Sequence, residues 1–190
     1  NYELIVSMAG GLDANGMVLN LSEVKHAIRS EVTEQLDFRF LNEAWPEFDV
    51  SSSEGCLPTT EALVRIIWSR LANQLPLVAL RLYESSGLWA DYLGQTMDAY
   101  LTIRTHFAAA HRLARPELSQ EENELIYGKC ARPHGHGHNY LVDVTVRGSI
   151  DPRTGMVCDL AALQRLVSDL VVEPFDHTFL NKDVAHFADC

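Results

Sequence analysis

Positive charge is scarce in this chain. Fifteen lysines and arginines stand against 26 aspartates and glutamates, a net charge of -11 over 190 residues. That balance argues against non-specific nucleic-acid binding, where phosphate contacts supply most of the affinity. It leaves room for a local basic pocket around a phosphate. Long apolar runs are missing as well. None approaches the ~20 residues that span a bilayer, so no membrane partner is expected. No charged stretch followed by an apolar one opens the chain, and no secretory leader is expected. Cysteine is sparse: Cys56, Cys130, Cys158 and Cys190 lack the dense spacing of a disulfide scaffold. A reducing cytoplasm with at least one free thiol is the expectation. What is present is ordinary in amount, 47% hydrophobic residues, and enough for a real core in one domain or two small ones.

One segment occurs twice. "NYELIVSMAGGLDANGMVLNLSEVK" (1–25) matches "NYLVDVTVRGSIDPRTGMVCDLAALQ" (139–164), with Asp13 against Asp151, Gly16-Met17-Val18 against Gly155-Met156-Val157, and one extra residue in the second turn. The match continues through "LDFRFLN" (36–42) and "FDHTFLN" (175–181), so residues 1–49 and 139–188 are two copies. Residues 3–9 and 140–147 read as strands ending in glycine-containing turns. "LNLSEVKHAIRSEVTEQL" places Leu21, Val24, Ile28 and Val32 on one helical face, with Asn20 as cap and Glu23 in the reciprocal position. "DLAALQRLVSDLVV" repeats it after Asp159. A further helix follows Pro58, started by Thr59 or Thr60. "LVALRLYE" (77–84) and "LWADYL" (88–93) read as a hairpin, and 99–113 as a strand running to His111. Reassembled as one unit the order is strand, strand, helix, helix, strand, strand, an α+β arrangement of antiparallel hairpins.

The stretch "CARPHGHGHNY" (130–140) carries the chemistry. In an extended segment residues two apart face the same side. His136 and His138 can therefore point at one ion, with Gly137 between them adding no bulk. Three neutral imidazoles leaving one position open form a catalytic zinc arrangement. His111, at the end of "HFAAAH", is the best third ligand. His134 competes by parity, but it follows Pro133 ahead of the strand. His106 and His26 read as structural or exposed. The competing reading of the whole stretch is a solvated histidine-rich turn.

Taken together, "HFAAAHRL", "YGKCARPHGHGHNY", "IDPRTGMV", "FDHTFLN", "PTTEALVRIIW" and "LRLYE" resemble the 6-pyruvoyl-tetrahydropterin synthase family, in two permuted pieces that cover nearly the whole chain. The resemblance implies the tunnelling fold, ββααββ units whose antiparallel sheets associate into a barrel. It implies a homo-oligomer with active sites between subunits. It assigns Zn2+ to His111, His136 and His138. Catalysis falls to Cys130 with Asp176 and His177, and substrate binding to Glu84, Thr59, Thr60 and Glu61, with Glu84 anchoring the pterin. The implied substrate is 7,8-dihydroneopterin triphosphate, which loses triphosphate and rearranges internally to 6-pyruvoyl-tetrahydropterin. Cys130 suits a base, because a thiol's pKa falls beside a metal or cation. His177 held by Asp176 suits a proton relay. Glu84 closes a strand whose Val78, Leu80 and Leu82 share its face, where a carboxylate is costly unless it gains partners.

The copies differ. The first has Asp37-Phe38 where the second has Asp176-His177, and phenylalanine cannot shuttle a proton. Residues 1–96 read as the back of a first copy and 97–190 as the front of a second. Either a segment of a tandem protein or a permuted single unit would give this order. Two other functions stay open. One is the sister 6-carboxytetrahydropterin synthase of the queuosine and deazapurine pathway, whose cysteine usually sits four residues before the His-Gly-His; Cys130 to His134 is four. The other is a pterin-binding scaffold without turnover.

Overall fold

The structure is a computed structural model and describes residues 1–188, so Cys190 lies outside it. The strands are β1 (Glu3–Met8), β2 (Leu77–Ser85), β3 (Leu88–Tyr92), β4 (Asp98–His111), β5 (His136–Ser149) and β6 (Thr178–Phe179). The longer helices are α1 (Leu21–Ile28), α2 (Thr60–Leu71), α3 (Gln120–Tyr127) and α4 (Leu160–Val167). Strand order is β1-β2-β3-β4-β5, with β6 beside β4. The chain is α+β with antiparallel pairing, apart from the short parallel β4–β6 contact. Among the described residues no helix is long and apolar enough to cross a membrane.

Contacts divide the chain into two compact units, Asn1–Ile103 with Thr145–Asp159, and Arg104–Val144 with the residues from Leu160 on. The first unit holds the main core. Ala62, Leu63, Ile66, Ile67 and Leu71 on α2 are buried, as are Leu80 and Leu82 on β2 and Ala90 on β3. Each leucine or isoleucine among them contributes roughly 1.5–3 kcal/mol by leaving water. The 77–93 hairpin forms as the sequence predicts, with Leu80 opposite Tyr92 and Leu82 opposite Ala90. β1 joins it with Glu3 opposite Tyr83. Thr59 caps α2, its Oγ1 accepting from the Ala62 N–H. Asn20 caps α1, accepting from the Ser22 N–H at 2.9 Å. Val24 and Val32 are buried as the pattern requires, but Leu21 in the first turn is 62% exposed. The regular helix expected there widens into a π-helical turn at Arg29–Thr33, and the same widening recurs at Ser168–Val172.

The repeated turns are built alike. Asp13 Oδ1 accepts from the N–H groups of Asn15 and Met17, and Asp151 Oδ1 from those of Arg153 and Thr154. Those backbone donors hold both carboxyls below the ordinary range, Met17 foremost for Asp13 and Thr154 for Asp151. Gly16 and Gly155 both take positive φ, 78° and 71°. Only the second turn is packed. The Thr59 hydroxyl donates to Gly155 O, and the buried Glu61 accepts from the Val157 N–H at 3.1 Å. A Cβ on Gly155 would lie 2.5 Å from Leu57 O. The start of a first-copy helix thus clasps a second-copy turn.

The second unit contains the facing ends of β4 and β5, β6, α3, α4 and short helical turns at Glu173–Phe175 and Leu180–Asp183. Phe107 stacks on Tyr140 at 4.9 Å and tilts against Phe175 at 5.5 Å. β6 runs parallel to β4, Ala109 opposite Thr178. α3 opens with a reciprocal capping box between Ser119 and Glu122.

Candidate metal centre and active site

The three histidines expected to share an ion do converge. β5 begins at His136, so His136 and His138 take the same face, and His111 is the last residue of β4 beside them. Their ring centroids lie 4.6 Å (His111–His136), 5.1 Å (His111–His138) and 4.6 Å (His136–His138) apart. One ligand nitrogen from each falls within 4.8 Å of the others. His111 Nε2 and His136 Nδ1 are buried without a hydrogen-bond partner. Burying a polar nitrogen unpaired is costly, and a cation at the centre would satisfy both. Burial pushes the His111 pKa down, with His136 and His138 adding to the effect. The shift favours the neutral ring, the form that ligates metal. His134, His106 and His26 are exposed and outside this group.

Gly135 sets the entry to β5. Its φ is +65°, and a Cβ there would lie 2.6 Å from His111 O and 2.7 Å from the Phe179 ring. A Cβ on Gly137, between the two histidines, would meet nothing closer than Ala109 O at 3.6 Å. Gly135→Ala is expected to lower stability by about 1–3 kcal/mol and to weaken metal retention. Gly137→Ala should do neither. Melting temperature and metal content of the two purified variants check this, and equal behaviour would refute it.

Cys130 sits in a 3-10 turn, Gly128–Ala131, that follows α3. Gly128 at φ +57° turns the chain out of the helix. The turn is tied to the end of β4 by Leu113 N–H to Cys130 O, 2.9 Å, and by Arg112 Nε to Ala131 O, 3.0 Å. Cys130 Sγ then lies 3.7 Å from His136 Nε2. Sequence reasoning missed both α3 and Arg112. The Ser119-x-x-Glu122 spacing was the readable signal for the helix; nothing local marks Arg112.

Asp176 and His177 attach to β4 from the other side of the chain. Asp176 Oδ1 accepts from the Ala108 N–H at 2.8 Å, and the His177 N–H donates to Ala108 O at 2.6 Å. Asp176 Oδ2 meets His177 Nδ1 at 2.8 Å. The Ala108 N–H, then His177, hold the Asp176 carboxyl below its ordinary range. A carboxylate only accepts, so Nδ1 carries the proton and Nε2 is the basic nitrogen. His177 shares a cavity of about 430 Å³ with His138, walled by Ala108, Ala109, Ala110 and Gly137. The small side chains leave that space open. His177 stands at φ +56°, and Phe38, its first-copy counterpart, at +55° and fully exposed.

Glu84 stands one residue before the end of β2 in the first unit, exposed rather than in the apolar setting the strand pattern suggested, and accepts a hydrogen bond from the Thr60 hydroxyl. Burial, and secondarily the Glu84 charge, push the Tyr2 phenol up. Thr59 and Glu61 use their side-chain oxygens on the Gly155–Val157 turn.

The model of a family described as 6-pyruvoyl tetrahydropterin synthase matches residues 1–95 and again 100–190. A 6-pyruvoyl tetrahydrobiopterin synthase of Poecilia reticulata is 53% identical over 90 residues, 47% of this chain and 61% of that protein. The Homo sapiens protein of the same name is 49% identical over 96 residues, 50% of this chain and 66% of its own length. The solved Caenorhabditis elegans 6-pyruvoyl tetrahydropterin synthase shows 45% identity over 48% of this chain and 64% of that one, with a TM-score of 0.45. The chain thus spans under two thirds of the length of these relatives.

Proposed function

The chain belongs to the 6-pyruvoyl tetrahydropterin synthase family, and from that premise we propose that its second copy supplies the metal-binding half of a pterin synthase-type lyase. The substrate is 7,8-dihydroneopterin triphosphate, and the product is 6-pyruvoyl-tetrahydropterin after loss of triphosphate. One observation carries the reading: three imidazoles with ligand nitrogens within 4.8 Å, and a free thiol 3.7 Å from one of them.

The two orphaned ring nitrogens and the all-imidazole donor set suit zinc, held by His111, His136 and His138 with one position open. The chemistry that zinc supplies at such a site is Lewis-acid polarisation of hydroxyl and carbonyl oxygens, which acidifies neighbouring C–H and O–H bonds. Cys130 accepts a proton at Sγ on the His136 side. His177 accepts or returns one at Nε2 on the His138 side, its ring oriented by Asp176. Glu84, with Thr60 on one oxygen, offers a carboxylate to the amino group and ring N–H of a pterin. Thr59 and Glu61 serve by fixing the start of α2 against the Gly155–Val157 turn.

Residues 1–96 and 97–190 are parts of two synthase-like copies. β1 and β5 end the strand order, and exposed edges invite further strands. A homo-oligomer follows; a monomer with intact activity in light scattering at micromolar concentration would contradict it. The thiols of Cys56, Cys130 and Cys158 are free, which suits a reducing cytoplasm. Mass spectrometry of the product from 7,8-dihydroneopterin triphosphate tests the reading directly. A pyruvoyl product with released triphosphate supports it. A 6-carboxy product would assign the chain to the sister activity, and no product from metal-loaded protein would leave a binding role.

A further inference from the structure

The second unit contains a basic cavity that the proposed chemistry leaves unused. About 540 Å³ in volume, it is lined by Arg112, Arg115 and Lys182, by the amides of Gln120, Asn123 and Asn181, and by no carboxylate. In a chain of net charge -11 that concentration of cations is out of proportion.

The charges are poorly offset within the fold. The Arg112 guanidinium donates to Ala131 O and Gln120 Oε1, both neutral. Lys182 makes no ion pair among the described residues and lies 5.1 Å from the Phe179 ring centre. Arg115 pairs with Glu117 in an exposed bridge, 62% and 59% exposed. Such bridges are worth little and exchange readily. Asn181 accepts the Arg112 backbone N–H with its oxygen, and its amide nitrogen has no acceptor among the described residues. Arg112, Arg115 and Asn181 also line an adjoining cavity of about 340 Å³ that includes His111 in its wall.

The internal repeat supplies a control. "FLNE" (40–43) in the first copy aligns with "FLNK" (179–182) in the second, so Glu43 stands where Lys182 stands. The copy with phenylalanine in place of the relay histidine also reverses this charge.

We infer that the Arg112–Arg115–Lys182 cavity is a polyphosphate subsite and holds the triphosphate of the substrate. This rests on the reading of the substrate given above. Guanidinium forks and an ammonium match phosphate oxygens. Cations around the leaving group also offset the charge it carries away.

The test is calorimetric titration of the metal-loaded protein with inorganic tripolyphosphate, at ionic strength matched with potassium chloride. Wild type binds; Lys182→Glu, the first-copy residue, weakens binding by about tenfold or more through charge reversal. Arg115→Gln added to it weakens binding further, with metal content unchanged in both. Arg112 also braces the Cys130 turn, so the result does not depend on altering it. Wild-type affinity in the double variant, or no binding by wild type, overturns the subsite. Neopterin triphosphate, but not neopterin, should displace tripolyphosphate. Equal displacement by ATP would overturn the assignment to the substrate. Binding of tripolyphosphate without pterin turnover would instead count against the lyase reading alone.

Discussion

His136→Ala is expected to abolish stoichiometric zinc binding and, with it, turnover. His136 is the ligand with most to lose. It faces His111 and His138, carries a buried unpaired Nδ1, and touches Cys130 through Nε2. Loss of even an outer-shell partner costs metal sites roughly 10–100-fold in affinity, and loss of one of three protein ligands should exceed that. The metal-free fold should suffer little, because the substitution removes an unsatisfied nitrogen and a neighbouring imidazole. The signature is therefore a difference in linkage. Zinc should raise the melting temperature of wild type by binding the folded state alone, and should leave that of His136→Ala unmoved. In wild type the zinc-dependent rise should fade as pH falls through the histidine range, since protons compete for the ligand nitrogens. The downward-shifted pKa of His111 extends retention to lower pH. Metal analysis together with thermal melts checks this, and full zinc occupancy in the variant would refute the assignment.

Cys130→Ala is expected to retain zinc and fold while losing at least about 10²-fold in turnover, the usual worth of a positioned acid–base group. The thiol lies outside the three-histidine group, and a fourth protein ligand would close the position a substrate oxygen needs. The turn that carries it is held by backbone bonds from Leu113 and the Arg112 side chain, neither of which involves Sγ. Removing Sγ should leave the turn in place. A packing role makes the opposite forecast: lower melting temperature, with the rate per folded molecule unchanged. Zinc content, melting temperature and turnover measured on one preparation separate the two, and wild-type turnover would remove Cys130 from the chemistry.

The site was legible where it followed strict local rules. Period two along a strand brought His136 and His138 together, and the strand reading of 99–113 delivered His111. Asn20 and the 77–93 hairpin were legible for the same reason. What escaped depends on partners distant in sequence. Thr59 and Glu61 look like ordinary helix-start residues until Gly155 and Val157 arrive against them. Glu23 sits three residues after the cap as a reciprocal partner should, yet the cap bond recorded there runs from Ser22. The π-helical turns leave no hydrophobic signature, because one inserted residue shifts the pattern too little over a single turn.

The clasp between Thr59, Glu61 and the Gly155–Val157 turn bears on how the chain acquires its fold. Its two hydrogen bonds each join residues 96 positions apart, and the first unit takes in Thr145–Asp159. Contacts that distant form slowly, because a long loop must close before they are rewarded. A ribosome that has released only the first copy has therefore exposed a helix start whose buried Glu61 and half-buried Thr59 still lack their partners. The compact units do not follow the repeat in the sequence, and a cut between copies should yield a first piece that protease digests and hydrophobic dyes bind. Supplying the missing turn in trans, as a peptide of residues 145–159, is then a route to restoring it.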